Sequence, residues 1–450
     1  MKLAVVGGGG FRVPLVYGAL LRDTAKPRVE EVVLHDVSAE RLAAIRHVLD
    51  QLAEGHDRAP EVRTTTDLDV ALRDADFVFS AVRVGGLAGR TADERVALEL
   101  GLLGQETTGP GGIAFGLRTV PVAVRLAERV AAVAPRAWVI NFTNPAGMIT
   151  EAMRSVLGDR VVGICDSPIG LIRRAAAALG LDPALVSPDY VGLNHLGWLR
   201  GLTYQGRDVL PGLLADDAAL RQVEEARIFG DDWVRTLGAL PNEYLYYYYF
   251  TRESVAAIDG AGRTRGESLL EQQSRFYAAV RERPLQALAE WGRARRERDA
   301  TYMAETREST DAGEREAADL EAGGYEGIAL ALMAAIARGE PSTMILNVRN
   351  GSAVPGLPSE SVVEIPCAVN GSGVRPLATR PLPGRLLGLV QQVKAVEQTT
   401  IEAALTGSAR LAVEAFALHP LVDSVGTARR LLDGYRARIP ELAAVIPGSS

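Results

Sequence analysis

Cys165 ends an apolar run and is followed by Asp-Ser-Pro, and His195 lies 30 residues further on in VGLNHLGW. A thiolate and a neutral imidazole suit a borderline transition metal. Two such ligands alone make an open site, whose remaining positions substrate oxygens can fill. No fixed Cys/His metal spacing applies here, so the spacing itself favours a core thiol and a structural imidazole. The stretch PNEYLYYYYF packs five tyrosines into six positions, Tyr244 and Tyr246 to Tyr249. Chemistry alone favours an aromatic core or interface, because tyrosine is amphipathic. The functional reading is a phenol lowered in pKa by a nearby cation and used as a base.

A third group of residues opens the chain, MKLAVVGGGGFRVP. Gly7 to Gly10 follow an apolar run and precede a helical pattern. Such a turn lets backbone N–H groups approach a pyrophosphate at a helix N-terminus. The third glycine of G-x-G-x-x-G is missing: the sixth position is Arg12 counted from Gly7 and Val13 counted from Gly8. Asp36 closes the next strand pattern, 29 residues after Gly7, where an acid suits the 2′-hydroxyl of NAD and repels the extra phosphate of NADP. Gly7, Gly8, Gly9, Gly10, Phe11, Asp36 and Arg83 are the expected dinucleotide contacts.

The elements that position these residues follow from periodicity. LAVVG, EVVLHD, DFVFSAV, AWVINFTNP and VVGICDSP read as buried strands, with DFVFSAV the third. Helical patterns such as PLVYGALLRD, ERLAAIRHVLDQLAEG and FGLRTVPVAVRLAERVAAVAP separate several of them. That alternation predicts a doubly wound, Rossmann-like parallel sheet of the lactate/malate dehydrogenase type over residues 1–168. Ligands bind at the carboxyl ends of such strands. Residues 169–450 read as an α+β domain for substrate, metal and oligomerisation. It has a hairpin signal at Gln205-Gly206 and strands at MILNVRN and SVVEIPCAV, whose sheet membership the pattern leaves open. The charged stretch 286–322 reads as a solvated helix and mobile loop.

Composition bounds the partners. The chain has 450 residues, 47% hydrophobic and 23% charged, with a net charge of −7. An acidic chain argues against nucleic acid and anionic membrane as main partners. No window resembles a membrane span and the N-terminus lacks a signal-peptide h-region, so a cytoplasmic location is expected. Two cysteines far apart fit a reducing compartment.

Taken together and in order, GQETTGPGG (104–112), NFTNPAG (141–147), Cys165-x-x-Pro168, GLNHLGW (192–198), PNEYLYYY (241–248) and LNVRNGSAVPGLP (346–358) resemble the NAD- and metal-dependent glycoside hydrolases of family 4, closest to the 6-phospho-β-glucosidase branch. The resemblance implies hydrolysis without net redox change, outside the usual two-carboxylate scheme. NAD takes hydride from C3 of the sugar, a divalent metal such as Mn²⁺ stabilises charge, and a base removes the C2 proton. The aglycone then leaves, water adds, and hydride returns. By motif position, Cys165 and His195 hold the metal and Tyr244 is the base, with Tyr246 and Tyr247 behind it. Asn144 and Asn194 are expected near sugar hydroxyls. Gln105 and Glu106 are expected to line the cleft, with Glu106 the candidate leaving-group acid. The expected partner is a small glycoside, in a homodimer or homotetramer.

Three departures bear on substrate. The family's GGGSxxTP reads GGGGFRVP, its CNxP reads Cys165-Asp166-Ser167-Pro168, and Tyr246 stands where Arg is common. Asp166 would repel a sugar phosphate or accept from a free hydroxyl. Candidate phosphate partners are Arg90, Arg263 and Arg265. A glycosidase of the same family acting on an unphosphorylated sugar stays open. So do an NAD-dependent 2-hydroxy-acid dehydrogenase, which would use His195 with an Asp and a clamping Arg such as Arg83, and an inactive NAD-binding protein.

Overall fold

The computed structural model describes residues 1–301, 307, 310 and 324–448. Its frame is one mixed sheet. Strands β1 (Lys2–Val6), β2 (Glu31–His35), β3 (Glu61–Thr65), β4 (Phe77–Ser80), β5 (Trp138–Asn141) and β6 (Val161–Gly163) are parallel and lie in the order β3-β2-β1-β4-β5-β6. The order reverses between β1 and β4, and a crevice opens beyond the carboxyl ends of strands at such a switch point. Alternation explains why β1 is apolar from Leu3 to Val6. Leu3 and Val5 enter the core on one face and Ala4 and Val6 the core on the other, so none of these four faces water.

DFVFSAV is thus the fourth strand, not the third. The strand missed by the periodicity, β3, is an edge strand with only Val62 buried, so it carries no apolar run to detect.

The later strands extend the same sheet. They are β7 (Ser187–Leu193), β8 (Leu196–Tyr204), β9 (Arg207–Asp208), β10 (Leu240–Pro241), β11 (Ser342–Arg349), β12 (Val362–Asn370) and β13 (Gly373–Pro376). The path runs β6-β11-β12-β7-β8-β10, all antiparallel, with β9 beside β8 and β13 beside β12. The two halves join where Asn347 of β11 faces Gly163 of β6. A Cβ at Gly163 would lie 2.8 Å from the Asn347 Cβ, so glycine permits that approach. The Gln205-Gly206 hairpin turn is present, with both residues at positive φ.

Helices over one face fill the second core: Pro110–Val133, Gly384–Thr406, Ala409–Leu418 and Val425–Arg438. Over the other lie Val13–Arg22, Arg265–Glu282, Ala287–Ala300 and Tyr325–Arg338. Ala287–Ala300 is not a purely solvated helix. Ala287, Glu290, Trp291 and Ala294 are buried, and most of the charged side chains lie on its other side. The expected mobile loop beyond it falls outside the described residues. Among the described residues no helix is long and apolar enough to cross a membrane.

Candidate active site

A cleft of about 1150 Å³ opens at the carboxyl ends of the parallel strands, spacious enough for a dinucleotide beside a sugar. The glycine turn forms one wall. Gly7 and Gly8 donate to the His35 carbonyl at 2.9 and 2.7 Å, and Gly9 donates to Asp36 Oδ2 at 3.0 Å. Gly7 has φ +90°, and a Cβ there would meet the Ala81 carbonyl oxygen at 2.5 Å. Gly7, Gly10, Phe11 and Asp36 line the cleft, whereas Gly8 and Gly9 do not. Those two serve the close approach of the turn to Leu34 and Arg41 instead. The turn feeds the helix Val13–Arg22, whose second residue is Pro14. Glycine backbone, helix N-terminus and an acid after β2 together fit a dinucleotide. The Asp36 oxygens accept from Gly9 and Ser38 N–H groups, and a carboxylate has lone pairs to spare for a ribose hydroxyl.

Three aromatic donors from the second half of the chain hold this turn, and none was found from sequence. Tyr277 Oη donates to the Gly9 carbonyl at 2.7 Å, Trp291 Nε1 to Phe11 at 2.9 Å and Tyr325 Oη to Arg12 at 2.8 Å. Their chain separation of more than 260 residues leaves no local signal. Phe11 itself is buried edge-on against Phe276, 5.3 Å between centroids, so its ring anchors the loop.

Cys165 and His195 line the cleft and are 7% and 8% exposed. Cys165 follows β6. His195 occupies the tight turn between β7 and β8 at φ +64°, a left-handed position uncommon for a residue other than glycine. Thr107 Oγ1 sits 3.1 Å from His195 Nδ1, which leaves Nε2 as the ring nitrogen not committed to the scaffold. Gln105 in turn fixes the Thr107 loop, accepting from the Thr107 and Thr108 amides at 2.6 Å. Burial lowers the His195 pKa to about 4, so the ring is neutral at pH 7. Burial, with Glu364 and Asp166 nearby, pushes the Cys165 thiol well up. A cation at the sulfur reverses that penalty. Among the described residues no group of three or more His, Cys, Asp or Glu is placed to hold a metal. The donor pair therefore fits an open site completed by substrate oxygens, not a closed structural one.

Tyr244 lines the cleft and stacks flat on His195, centroids 3.7 Å apart and planes within 4°. Arg90 is within electrostatic reach of it. Tyr247 also lines the cleft, but Tyr246 is 2% exposed and stacks on Phe250 in the core, which removes it as a reserve base.

Arg83 and Arg90 share Glu106, each with an N–O distance of 2.6 Å, and Arg90 also binds Glu94 at 2.9 Å. Burial alone would raise the Glu106 carboxyl, but the two arginines outweigh it and hold it at about 2. Glu106 is therefore ionised at neutral pH and cannot donate a proton to a leaving group. Arg90's charge is largely met by two carboxylates. Arg265 lines the cleft and reaches the Arg298 carbonyl at 2.8 Å, while Arg263 is exposed, binds Glu271 and lies outside the cleft. Arg298, not anticipated from sequence, lines the same end. Burial, then Arg12, Arg265 and Arg90, lower its pKa to about 9, as expected where cations converge around an anion site.

Asn144 and Asp166 line the cleft. Asn194 does not: its Oδ1 accepts from the Ala146 amide and its Nδ2 donates to Glu364, both at 3.2 Å. It braces the loop beside His195. The dehydrogenase alternative needs a carboxylate orienting the histidine, and Thr107 occupies that place.

A family model described as family 4 glycosyl hydrolase matches residues 2–181, and one for its C-terminal domain matches 190–422. The chain is 32% identical to a probable 6-phospho-beta-glucosidase of Bacillus subtilis over 98% of each chain. It is 30% identical to a 6-phospho-alpha-glucosidase of Leptotrichia buccalis over 96% of each. The structure of a 6-phospho-beta glucosidase from Thermotoga maritima with manganese, NAD+ and glucose-6-phosphate superposes with TM-score 0.81 at 28% identity. That alignment covers 98% of this chain and 99% of the other.

Proposed function

This chain is a family 4 glycosyl hydrolase, and we propose that it hydrolyses 6-phosphoglucosides, the β-anomers foremost, with NAD and a divalent cation such as Mn²⁺. The observation that carries the reading is convergence. One cleft is lined by the glycine turn, the Cys165/His195 pair, Tyr244 and a group of arginines. The relatives point the same way in the ligands and substrates their names carry.

In this reading Gly7, Gly10, Phe11 and Asp36 hold the dinucleotide beside Arg83, and Cys165 with His195 Nε2 holds the cation. Bound there, the two supply a reversible hydride acceptor and a Lewis acid. The chain's own chemistry is proton transfer. Tyr244 Oη takes the C2 proton once its neighbour C3 carries a carbonyl, with the Arg90 guanidinium within electrostatic reach. The His195 ring beneath fixes the phenol plane. Asn144 binds a sugar hydroxyl, and Arg265 and Arg298 meet the phosphate.

A second reading, the α-anomer, is favoured by the phospho-alpha-glucosidase relative at nearly equal identity. A panel of aryl α- and β-glucosides, with and without 6-phosphate, tests both. Turnover of the 6-phospho-β compound is expected, with deuterium at C2 of the product in D₂O. Cleavage of the unphosphorylated sugars alone, or unlabelled product, overturns the proposal.

A further inference from the structure

Arg12 is the residue that ends the glycine turn and precedes the helix Val13–Arg22. Its guanidinium stands 3.8 Å from Asp166 Oδ2, the carboxylate that replaces the family's asparagine next to Cys165. It also lies 4.8 Å over the Tyr325 ring and 5.4 Å over the Phe142 ring, two rings stacked on each other at 3.9 Å. Tyr325 Oη fixes the Arg12 carbonyl, so backbone and side chain are held by the same aromatic group. All four residues line the cleft, and the Arg12 and Asp166 side chains remain 40% and 36% exposed to it.

An ion pair this exposed adds little to stability. Its effect falls on whatever enters the cleft. Asp166 alone would repel a phosphorylated sugar, and a cation held 3.8 Å from it offsets that field. Arg12 also depresses the basicity of Arg298, which places its charge within reach of the arginines at the phosphate end. Arg12, at a position the family pattern leaves open, and Asp166, a departure from that pattern, thus form one electrostatic unit.

We propose that Arg12 is a specificity-determining residue: paired with Asp166, it restores acceptance of an anionic 6-phosphoglycoside that Asp166 alone would exclude. The inference rests on the phosphoglycosidase reading for its substrate but not on turnover for its test.

Glucose 6-phosphate and glucose are titrated into the NAD- and Mn²⁺-loaded protein by calorimetry, alongside KM and kcat for an aryl 6-phosphoglucoside. Arg12→Ala is expected to weaken glucose 6-phosphate about ten- to a hundredfold, the worth of one charge-assisted contact, and to leave glucose nearly unchanged. The loss should appear in KM more than in kcat. Adding Asp166→Asn to Arg12→Ala should recover most of it, and Arg12→Lys should keep most of the wild-type affinity. NAD affinity and melting temperature, measured on every variant, separate this effect from damage to the glycine turn. An unchanged preference for glucose 6-phosphate in Arg12→Ala overturns the inference, and so does a loss that Asp166→Asn does not reverse. Should the wild type bind glucose 6-phosphate through Arg12 yet cleave no glycoside, the inference stands and the proposed activity falls.

Discussion

At the scale of single residues, the site is set by which atoms the scaffold has already used. His195 gives Nδ1 to Thr107 and Asn194 spends both ends of its amide on Ala146 and Glu364. Glu106 is consumed by Arg83 and Arg90. The cleft itself presents the Cys165 thiol, the His195 ring and the Tyr244 phenol. Metal removal tests this directly. Chelation with EDTA should abolish activity and Mn²⁺ should restore it. Cys165→Ser should weaken Mn²⁺ binding by more than the roughly 10- to 100-fold that loss of an outer partner costs, with the melting temperature little changed. Electron paramagnetic resonance titration of free Mn²⁺ reads the affinity. Full activity after exhaustive chelation would remove the metal from the account.

At the scale of elements, the glycine turn is a device for close approach. Four glycines sit between β1 and the first helix, and each has a different neighbour where a Cβ would go. Gly7 combines φ +90° with the Ala81 carbonyl at 2.5 Å from the added atom. Gly7→Ala should therefore cost about 1–3 kcal/mol in backbone strain alone, read from urea unfolding, and should weaken NAD in a fluorescence titration. The turn is closed from outside by Tyr277, Trp291 and Tyr325. The glycine run was legible in the sequence because its signal is local. The three aromatic clasps were not, because a hydrogen bond to a backbone carbonyl asks nothing of the residue that accepts it.

At the scale of the whole molecule, one sheet carries both halves, and a buried imidazole after the helix Ala409–Leu418 has its own titration. His419 is 5% exposed, accepts from the Leu421 amide at 3.1 Å and is held by burial at a pKa of about 3. The unfolded chain binds that proton below about 6.5, and the folded chain refuses it until far lower. The stability this contributes is complete above pH 6.5 and is lost as pH falls toward 3. In that window it changes by up to about 1.4 kcal/mol per pH unit. His419→Gln should make the acid limb shallower by about one proton between pH 6 and pH 4, measured by urea unfolding at each pH. An unchanged slope would mean the imidazole is solvated.

The sequence by itself determined five of the six parallel strands, the dinucleotide turn and the family. Apolar strands buried on both faces, glycines and ordered motifs are all written along the chain. It also named Cys165, His195 and Tyr244, though as motif positions without a geometry. Only the tertiary structure decided which ionisable groups were available. Glu106 looked like a candidate acid until two arginines were brought against it, and Asp166 looked repulsive to phosphate until Arg12 was placed beside it. The reason is physical: a side chain's charge and basicity depend on what lies within a few ångströms, and those neighbours come from distant parts of the chain.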